Sequence, residues 1–264
     1  MNNKSPLRYP GGKTRACKIL DEILTNNFKM KDFKVVVSPF FGGGSFEFFL
    51  QKKYGYSIVA NDKFYPLYNF WNVCKERKNE LVTDLGGKVG KITSSVFKEY
   101  RESIMKDEDV MSNAMKYFVI NRCSFSGATL SGGYSQESSE SRFTVSSVER
   151  VGKLDLKDLS ISNLDFEVFL EQDFGRGSFI FLDPPYYLGS KSKLYGKNGD
   201  MHENFKHEAL EECLRGKSDW LLTYNDCDYI RKLYSGYTII DSSWAYGMNK
   251  SKKSSEIFII KNII

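Results

Sequence analysis

The segment FLDPPYY at residues 181–187 places an acid, two prolines and two tyrosines directly after an apolar run. Residues 179–182 predict the end of a buried strand, so Asp183 lies where the chain leaves the core. Pro184 and Pro185 fix their own φ and donate no backbone N–H, while their carbonyls remain able to accept hydrogen bonds. We expect a stiff corner that presents acceptors beside the phenol ring of Tyr186. An acidic turn that only closes a strand is an equally good interpretation of this segment alone.

A glycine turn, PFFGGGSF at residues 39–46, follows a short β-branched run. Successive glycines let the backbone approach a ligand closely at the carboxyl end of a strand. The third glycine of a pyrophosphate-binding loop is missing, and Glu47 would repel a phosphate. The pattern therefore favours a ligand without phosphates, bound through nucleoside and amino-acid parts. Asp62 ends the next predicted strand, where an acid can accept from ribose hydroxyls; a turn or N-cap aspartate is the alternative.

Two further clusters combine charged and aromatic residues. LRYPGGK at residues 7–13 brings Arg8, Tyr9 and Lys13 close to a Pro-Gly-Gly turn, although a plain loop entering a helix has the same pattern. NLDF at residues 163–166 repeats the arrangement of an acid at a strand end, here beside an aromatic ring that can face a purine.

The composition is that of a large α/β chain with a sizeable core: 264 residues, 41% hydrophobic and 15% aromatic. A net charge of +5 permits a polyanionic partner without demanding one. The five cysteines have no C-x-x-C spacing and the two histidines are not four residues apart, so we expect neither a disulfide framework nor a metal site. We expect a reducing, cytoplasmic setting with no signal peptide and no membrane association.

The order of predicted elements indicates one α/β domain with an insert. A strand, glycine turn, helix and second strand fill residues 34–62, which predicts a parallel sheet with a right-handed crossover. We assign residues 1–66 and 156–264 to this core and residues 67–155 to a largely helical insert. The Ser/Gly-rich residues 123–147 are expected to lack regular structure. The last two strand patterns predict an antiparallel edge hairpin, and residues 195–210 form either a mobile loop or an ordinary connection.

In chain order the four motifs are LRYPGGK, PFFGGGSF, NLDF and DPPYY, with an insert between the second and third. In this order they resemble the Dam-type DNA adenine-N6 methyltransferases over nearly the whole chain. NRCSFSG at residues 121–127 is similar to a segment of that family that touches DNA. The resemblance implies a Rossmann-like methyltransferase core with an antiparallel C-terminal edge strand, and an insert that recognises the target. It also implies S-adenosylmethionine (SAM) as methyl donor, S-adenosylhomocysteine (SAH) as product, no metal, and double-stranded DNA as substrate.

The resemblance assigns roles to the residues of the four motifs. Those expected to bind the cofactor are Tyr9, Pro10, Gly11 and Lys13 at its methionine end, Pro39, Phe40, Gly42 and Gly44 in the turn beneath it, Asp62 at its ribose, Asp165 and Phe166 at its adenine, and Asp183. The catalytic corner is Asp183, Pro184, Pro185 and Tyr186. The Asp183 carboxylate and the Pro184 carbonyl would accept from the amine of a flipped-out adenine, Tyr186 would stack on the base, and the methyl group would transfer directly.

The resemblance and the charge pattern also predict DNA contacts at Arg8, Arg122, Ser126 and Arg142. The stretch SFSGATLSGGYS is serine-rich where the best-known GATC enzymes carry asparagine and more basic residues, so we do not transfer their recognition sequence.

Several alternatives remain open at this point. They are methylation of the cytosine amine, methylation of RNA adenine, a nucleotide-dependent oxidoreductase, and a catalytically inactive DNA-binding protein. The aspartate at position 183 disfavours the first of these. A cognate restriction enzyme is a further partner to consider, and we expect a monomer or weak dimer associated with nucleoid or viral DNA.

Overall fold

The computed structural model describes residues 3–9, 12–187, 205–241 and 256–262. Within these ranges seven strands form one sheet in the order β3-β2-β1-β4-β5-β7-β6. The strands are β1 (Val35–Ser38), β2 (Ser57–Asn61), β3 (Leu159–Ser162), β4 (Ser178–Leu182), β5 (Trp220–Asn225), β6 (Thr238–Asp241) and β7 (Glu256–Lys261). The pairs among β1 to β5 are parallel, and β7 runs antiparallel to both of its neighbours. The predicted α/β core with a mainly parallel sheet is confirmed.

Helices connect the strands and cover the sheet. Those before β2 or after β3 are α1 (Cys17–Asn27), α2 (Ser45–Tyr54), α9 (Phe166–Glu171), α10 (His207–Arg215) and α11 (Asp228–Leu233). Those between β2 and β3 are α3 (Tyr65–Glu76), α4 (Lys78–Lys88), α5 (Ser94–Ser103), α6 (Val110–Cys123), α7 (Gln136–Arg142) and α8 (Val145–Gly152). The segment that we assigned to the insert is therefore built from helices.

The strand order explains why distant motifs meet. From β1 the sheet grows through β2 and β3 on one side and through β4 and β5 on the other. In an open parallel sheet, the carboxyl ends of the two strands at this reversal flank a crevice that ligands use. The glycine turn follows β1 and the DPPYY corner follows β4, so both motifs lie at the mouth of this crevice.

The antiparallel hairpin predicted at the edge of the sheet is confirmed, because β6 and β7 pair there, but the outermost strand is β6 and not the C-terminal β7. β7 lies between β5 and β6, and β6 forms the edge. The four central residues of β7 are buried, whereas those of β6 are exposed or half-buried. Because β7 is apolar on both faces, it buries more apolar surface between two strands than at the edge of the sheet, and this favours the interior position.

The Ser/Gly-rich segment also differs from its expected irregular structure, because it contains α7 and the start of α8. Ser135 caps α7 by accepting from the backbone N–H of Ser138, and Thr144 and Ser147 form a reciprocal capping box at α8. Serine and threonine favour turns and helix starts for the same reason, namely their short hydrogen-bonding side chains. Composition alone therefore does not separate a loop from a series of short capped helices.

The helical insert shares its core with the sheet. Trp71 of α3 packs its ring against Phe41 and Phe48, with centroid distances of 5.4 and 5.6 Å. Its indole Nε1 donates a hydrogen bond of 3.0 Å to the carbonyl of Gly42 in the glycine turn. The first helix of the insert therefore supports the turn from below.

We expect Trp71→Phe to lower the free energy of unfolding by about 1–3 kcal/mol, because the buried carbonyl of Gly42 loses its donor. The matched control is Trp220→Phe. Trp220 is also fully buried, but its Nε1 has no hydrogen-bond partner in the part of the chain that the structure describes. Urea denaturation of both variants measures the difference. Equal losses in the two variants would contradict a structural role for the Trp71 hydrogen bond.

Candidate active site

The corner after β4 holds Asp183 in a largely buried position. The Asp183 Oδ1 atom accepts a hydrogen bond of 2.6 Å from the hydroxyl of Thr223 on β5 and lies 2.8 Å from the Nζ atom of Lys13. Burial raises the pKa of Asp183, and the neighbouring Lys13 ammonium opposes that rise. The side-chain amide of Asn225 donates to the carbonyl of Tyr187 at 2.7 Å and so fixes the far end of the corner. The carboxylate is thus anchored through one of its two oxygens.

Lys13 is buried at the centre of the site. Besides Asp183, its Nζ atom contacts the hydroxyl of Tyr186 at 2.7 Å and the carboxylate of Glu256 at 3.2 Å. Burial would lower the pKa of Lys13, but Asp183, Tyr186 and Glu256 outweigh it and raise that pKa well above its usual value. The sequence predicts Lys13 as a cofactor residue, whereas the described contacts of its ammonium are with Asp183, Tyr186 and Glu256.

Tyr186 is held by the same cluster. Its hydroxyl also bonds to the carboxylate of Glu256, and the Lys13 Nζ atom lies 5.1 Å from the centre of its ring. Burial raises the pKa of Tyr186 well above its usual value, so the side chain is a neutral phenol at physiological pH. A phenol fixed at its oxygen can offer its ring as a stacking surface without losing its orientation.

Sequence reasoning missed two members of this cluster, Thr223 and Glu256. Both come from strands far along the chain, and Glu256 is the first residue of β7. Because β7 is antiparallel to β5, its first residue pairs with Asn225 at the carboxyl end of β5. An acid at the start of an antiparallel C-terminal strand is therefore the signal that would have found it.

The glycine turn adopts backbone conformations that other residues rarely reach. Gly42 and Gly44 have φ values of +51° and +65°. A Cβ atom on Gly44 would lie 2.5 Å from the ring of Phe41, and one on Gly42 would lie 3.1 Å from the ring of Tyr9. These glycines are thus required by left-handed backbone and by close aromatic neighbours. They also allow the ring of Tyr9 to lie directly over the turn.

Asp62 follows β2 and lies beside the glycine turn. Its two carboxylate oxygens accept 3.0 Å hydrogen bonds from the backbone N–H groups of Gly42 and Phe64. Burial raises the pKa of Asp62 to about 6, and these two bonds limit the rise. Asn61 donates to the carbonyls of Pro39 and Leu164, so one side chain joins the ends of three strands.

An aromatic cluster borders the other side of the turn. The rings of Phe40, Phe166 and Phe205 lie 5.2–5.7 Å from one another, measured between centroids. Asp165 caps α9 by accepting from the N–H of Glu167 and pairs with Lys63 at 2.5 Å. Phe205 was not predicted. Pro10 and Gly11, and most of the predicted closing loop at 195–210, lie outside the described residues.

The four predicted DNA residues fall into two groups. Arg122 is buried and donates to the carbonyls of Arg142 and Pro6, and burial lowers its pKa to about 10. Arg8 donates to the carbonyls of Arg122 and Ser124. These contacts favour structural roles for Arg8 and Arg122 over the direct DNA contacts that we predicted.

By contrast, Ser126 and Arg142 are exposed. Ser126 has a positive φ of 52° and follows Phe125, whose side chain is 69% exposed. Phe125 therefore exposes an apolar surface beside a turn with left-handed backbone.

The N-terminal motif is fastened to the insert. The side chain of Asn121 on α6 accepts from the backbone N–H of Arg8 at 2.8 Å and donates to its carbonyl at 2.6 Å. This pair of bonds fixes the position of Tyr9, the next residue, relative to α6. The insert therefore helps to position the segment that carries Lys13.

Glu47 is a further buried acid beside the site. It lies in the first turn of α2 and accepts a hydrogen bond of 2.5 Å from the hydroxyl of Ser38 at the end of β1. Burial raises its pKa to about 7, and the negative charge of Asp183 contributes to the rise. Among the described residues no group of three or more His, Cys, Asp or Glu side chains is arranged to hold a metal ion.

The sheet order, the glycine turn over β1 and the acid-proline corner after β4 define a Rossmann-like methyltransferase. Residues 9–248 match the model of the D12 class N6 adenine-specific DNA methyltransferases, and the chain belongs to this family. It is therefore an enzyme that methylates adenine in DNA at specific sites, as the motifs predict. The family normally uses SAM, and DNA is its substrate. In the described ranges, no helix is long and apolar enough to cross a membrane.

Two curated relatives align over almost their whole lengths. The chain is 24% identical over 263 residues to the Type II methyltransferase M.MjaIII of Methanocaldococcus jannaschii, covering 90% of both chains. It is 22% identical over 277 residues to the Type II methyltransferase M.CviBI of Paramecium bursaria Chlorella virus NC1A, covering 98% of this chain and 99% of the relative.

Glu47→Gln is expected to stabilise the fold at pH 8 by up to about 3 kcal/mol. The pKa of Glu47 is higher in the folded chain, so the folded state prefers its protonated form and the native chain loses stability as pH rises from about 4.5 to about 7. Glutamine keeps an acceptor for Ser38 and avoids this loss. At pH 5 the gain should shrink to below about 1 kcal/mol.

Urea denaturation without cofactor at pH 5 and pH 8 measures this dependence. The control is Glu99→Gln, since Glu99 is exposed and lies on the insert. A stabilisation by Glu47→Gln of the same size at both pH values would contradict the raised pKa.

Proposed function

We propose that this enzyme transfers a methyl group from SAM to the N6 amine of an adenine flipped out of double-stranded DNA, with Asp183 as the acceptor that orients the amine. The observation that carries the proposal is the fixed Asp183 carboxylate at the end of β4, next to the glycine turn that ends β1. A carboxylate at this crevice faces the region where α/β folds bind their ligands.

The residues around the turn fit SAM. Asp62 is an acid at the end of β2, suited to the ribose hydroxyls, and it is held by two backbone N–H groups. The ring of Tyr9 lies so close to the turn that it leaves little room for a side chain at Gly42. Phe40 and Phe166 offer aromatic surface for the adenine ring, with Asp165 beside them. When bound, SAM supplies an electrophilic methyl group on a sulfonium centre.

Asp183 can act on the target base through its second oxygen. Both described contacts of its carboxylate, from Thr223 and Lys13, fall on Oδ1, which leaves Oδ2 available for an N–H of the adenine amine. The N6 lone pair of adenine is delocalised into the ring, so the free amine is a poor nucleophile. Acceptors on its N–H groups favour a tetrahedral nitrogen, and the carboxylate charge stabilises the cation that develops on it. The carbonyl of Pro184 is the predicted second acceptor.

Lys13 and Tyr186 prepare the site for this chemistry. Burial alone would favour the protonated form of Asp183, which accepts poorly, and the Lys13 ammonium at 2.8 Å favours the ionised form. The Tyr186 ring, fixed at its hydroxyl by Lys13 and Glu256, is the stacking surface for the flipped base. Stacking of a base on an aromatic side chain contributes about 1–3 kcal/mol, which offsets part of the cost of flipping.

The DNA-facing surface of the insert includes Phe125, Ser126 and Arg142. Arg142 carries a charge suited to phosphates, and Phe125 exposes an aromatic face suited to a base. Because the two relatives are Type II methyltransferases, a cognate restriction enzyme is part of the proposal, with the protein acting as a monomer or weak dimer. The recognition sequence is left to experiment.

Asp183→Asn should reduce methylation about 10²–10⁴-fold, because the amide presents no negative charge to the N6 amine. SAM affinity should change by no more than about tenfold, since one charge near the cofactor is lost. Unmethylated genomic DNA is incubated with enzyme and SAM and read by modification-sensitive long-read sequencing. Asp226→Asn is the matched control, being an exposed aspartate just after β5. Methyladenine at the wild-type level with Asp183→Asn would remove Asp183 from the mechanism.

Phe125→Ala should lower kcat/KM on duplex DNA about tenfold through loss of aromatic contact with a base, and should affect a single-stranded oligonucleotide less. Met105→Ala is the control, because Met105 is also on the insert and 52% exposed. Initial rates on both substrates measure the effect. An unchanged duplex rate would exclude Phe125 from the DNA surface.

A further inference from the structure

The buried cluster around Lys13 contains one cation and two carboxylates. The Nζ atom of Lys13 lies 2.8 Å from Asp183 and 3.2 Å from Glu256. The exposed fractions of the three side chains are 2% for Lys13, 23% for Asp183 and 10% for Glu256. Within the part of the cluster that the structure describes, a single ammonium faces two carboxylates, which leaves a surplus of negative charge.

The surplus is maintained by the arrangement of the cluster. Lys13 stays protonated because Asp183, Tyr186 and Glu256 raise its pKa against the effect of burial. The fourth member, Tyr186, is a neutral phenol that adds no positive charge. Charges that are partly removed from water interact more strongly and are screened less by salt than charges on the surface.

We propose that this surplus charge makes the site bind SAM in preference to SAH, with Glu256 as the residue that supplies it. The proposal rests on the proposed function, which brings the methionine end of the cofactor close to Lys13 and Asp183. SAM carries a sulfonium, an ammonium and a carboxylate, so its net charge is positive, whereas SAH has lost the sulfonium charge and is neutral overall. SAM therefore neutralises the cluster, and SAH leaves its negative charge uncompensated.

Glu256 is the residue at which this charge can be changed while the side chain of the proposed acceptor, Asp183, is kept. It contacts Lys13 and Tyr186, and its carboxylate makes no described contact with Asp183. Glutamine at position 256 keeps a side-chain oxygen that accepts from both partners and removes the charge. Glu256→Asp keeps the charge and shortens the side chain. A comparison of the two variants therefore separates the effect of charge from the effect of side-chain length.

Isothermal titration calorimetry on the purified full-length chain tests the proposal by measuring Kd for SAM and for SAH. We expect the ratio Kd(SAH)/Kd(SAM) to fall about tenfold in Glu256→Gln, the effect of one charge at roughly 10 Å in a partly buried site. Glu256→Asp should retain the wild-type ratio. Glu102→Gln is the charge-matched control, because Glu102 is exposed on α5 and should leave the ratio unchanged.

The outcomes are distinct. An unchanged ratio in Glu256→Gln, or an equal fall in Glu256→Asp, overturns the role of the Glu256 charge while leaving the proposed function intact. Wild-type protein that binds neither SAM nor SAH overturns the proposed function as well.

A second measurement needs no variant and holds even if Glu256→Gln fails to fold. Sinefungin carries a protonated amine in place of the sulfonium methyl group and so has the net charge of SAM. Wild-type protein should bind sinefungin more tightly than SAH. Equal or weaker binding of sinefungin would overturn the proposal.

Discussion

The buried ion pair between Lys13 and Asp183 is the interaction on which the site depends. Removing two charges from water is costly, and the attraction between them compensates only with good geometry and further hydrogen bonds. Thr223 bonds to the carboxylate, while Tyr186 and Glu256 contact the ammonium. The pair thus requires three strands and the N-terminal segment to converge on one point. The fold meets this requirement because the carboxyl ends of β4 and β5 and the first residue of β7 lie side by side.

The position of Lys13 also depends on the helical insert. Lys13 lies near the start of the chain, on a segment that packs between the sheet and the helices. Asn121 bonds to the backbone of Arg8, and Arg122 bonds to the carbonyl of Pro6. The same helix, α6, leads into the exposed turn at Phe125 and Ser126. The exposed turn and the segment that carries Lys13 are therefore both attached to α6, which connects the surface of the insert with the site.

The glycine turn shows a similar dependence on distant parts of the chain. Its conformation is allowed by glycine, but its position is set by Trp71 below it and Tyr9 above it. One of these residues belongs to the insert and the other to the N-terminal motif. The glycine turn therefore depends on both the N-terminal motif and the helical insert, and the sheet and the insert form one structural unit.

Local sequence patterns were sufficient to predict the family and most of the strands and helices. β-branched and aromatic runs predicted the strands, the glycine turn and the DPPYY corner predicted the site, and the order of the motifs indicated the family. What these patterns could not provide was long-range pairing. Glu256, Thr223 and Phe205 enter the site only because strands and helices far apart in the chain come together. Arg122 is of a residue type that commonly contacts DNA, and only the packing of the fold shows that it is buried. The position of β7 inside the sheet was missed for the same reason: local pattern reports a residue's preferred conformation, whereas burial and partners depend on the whole fold.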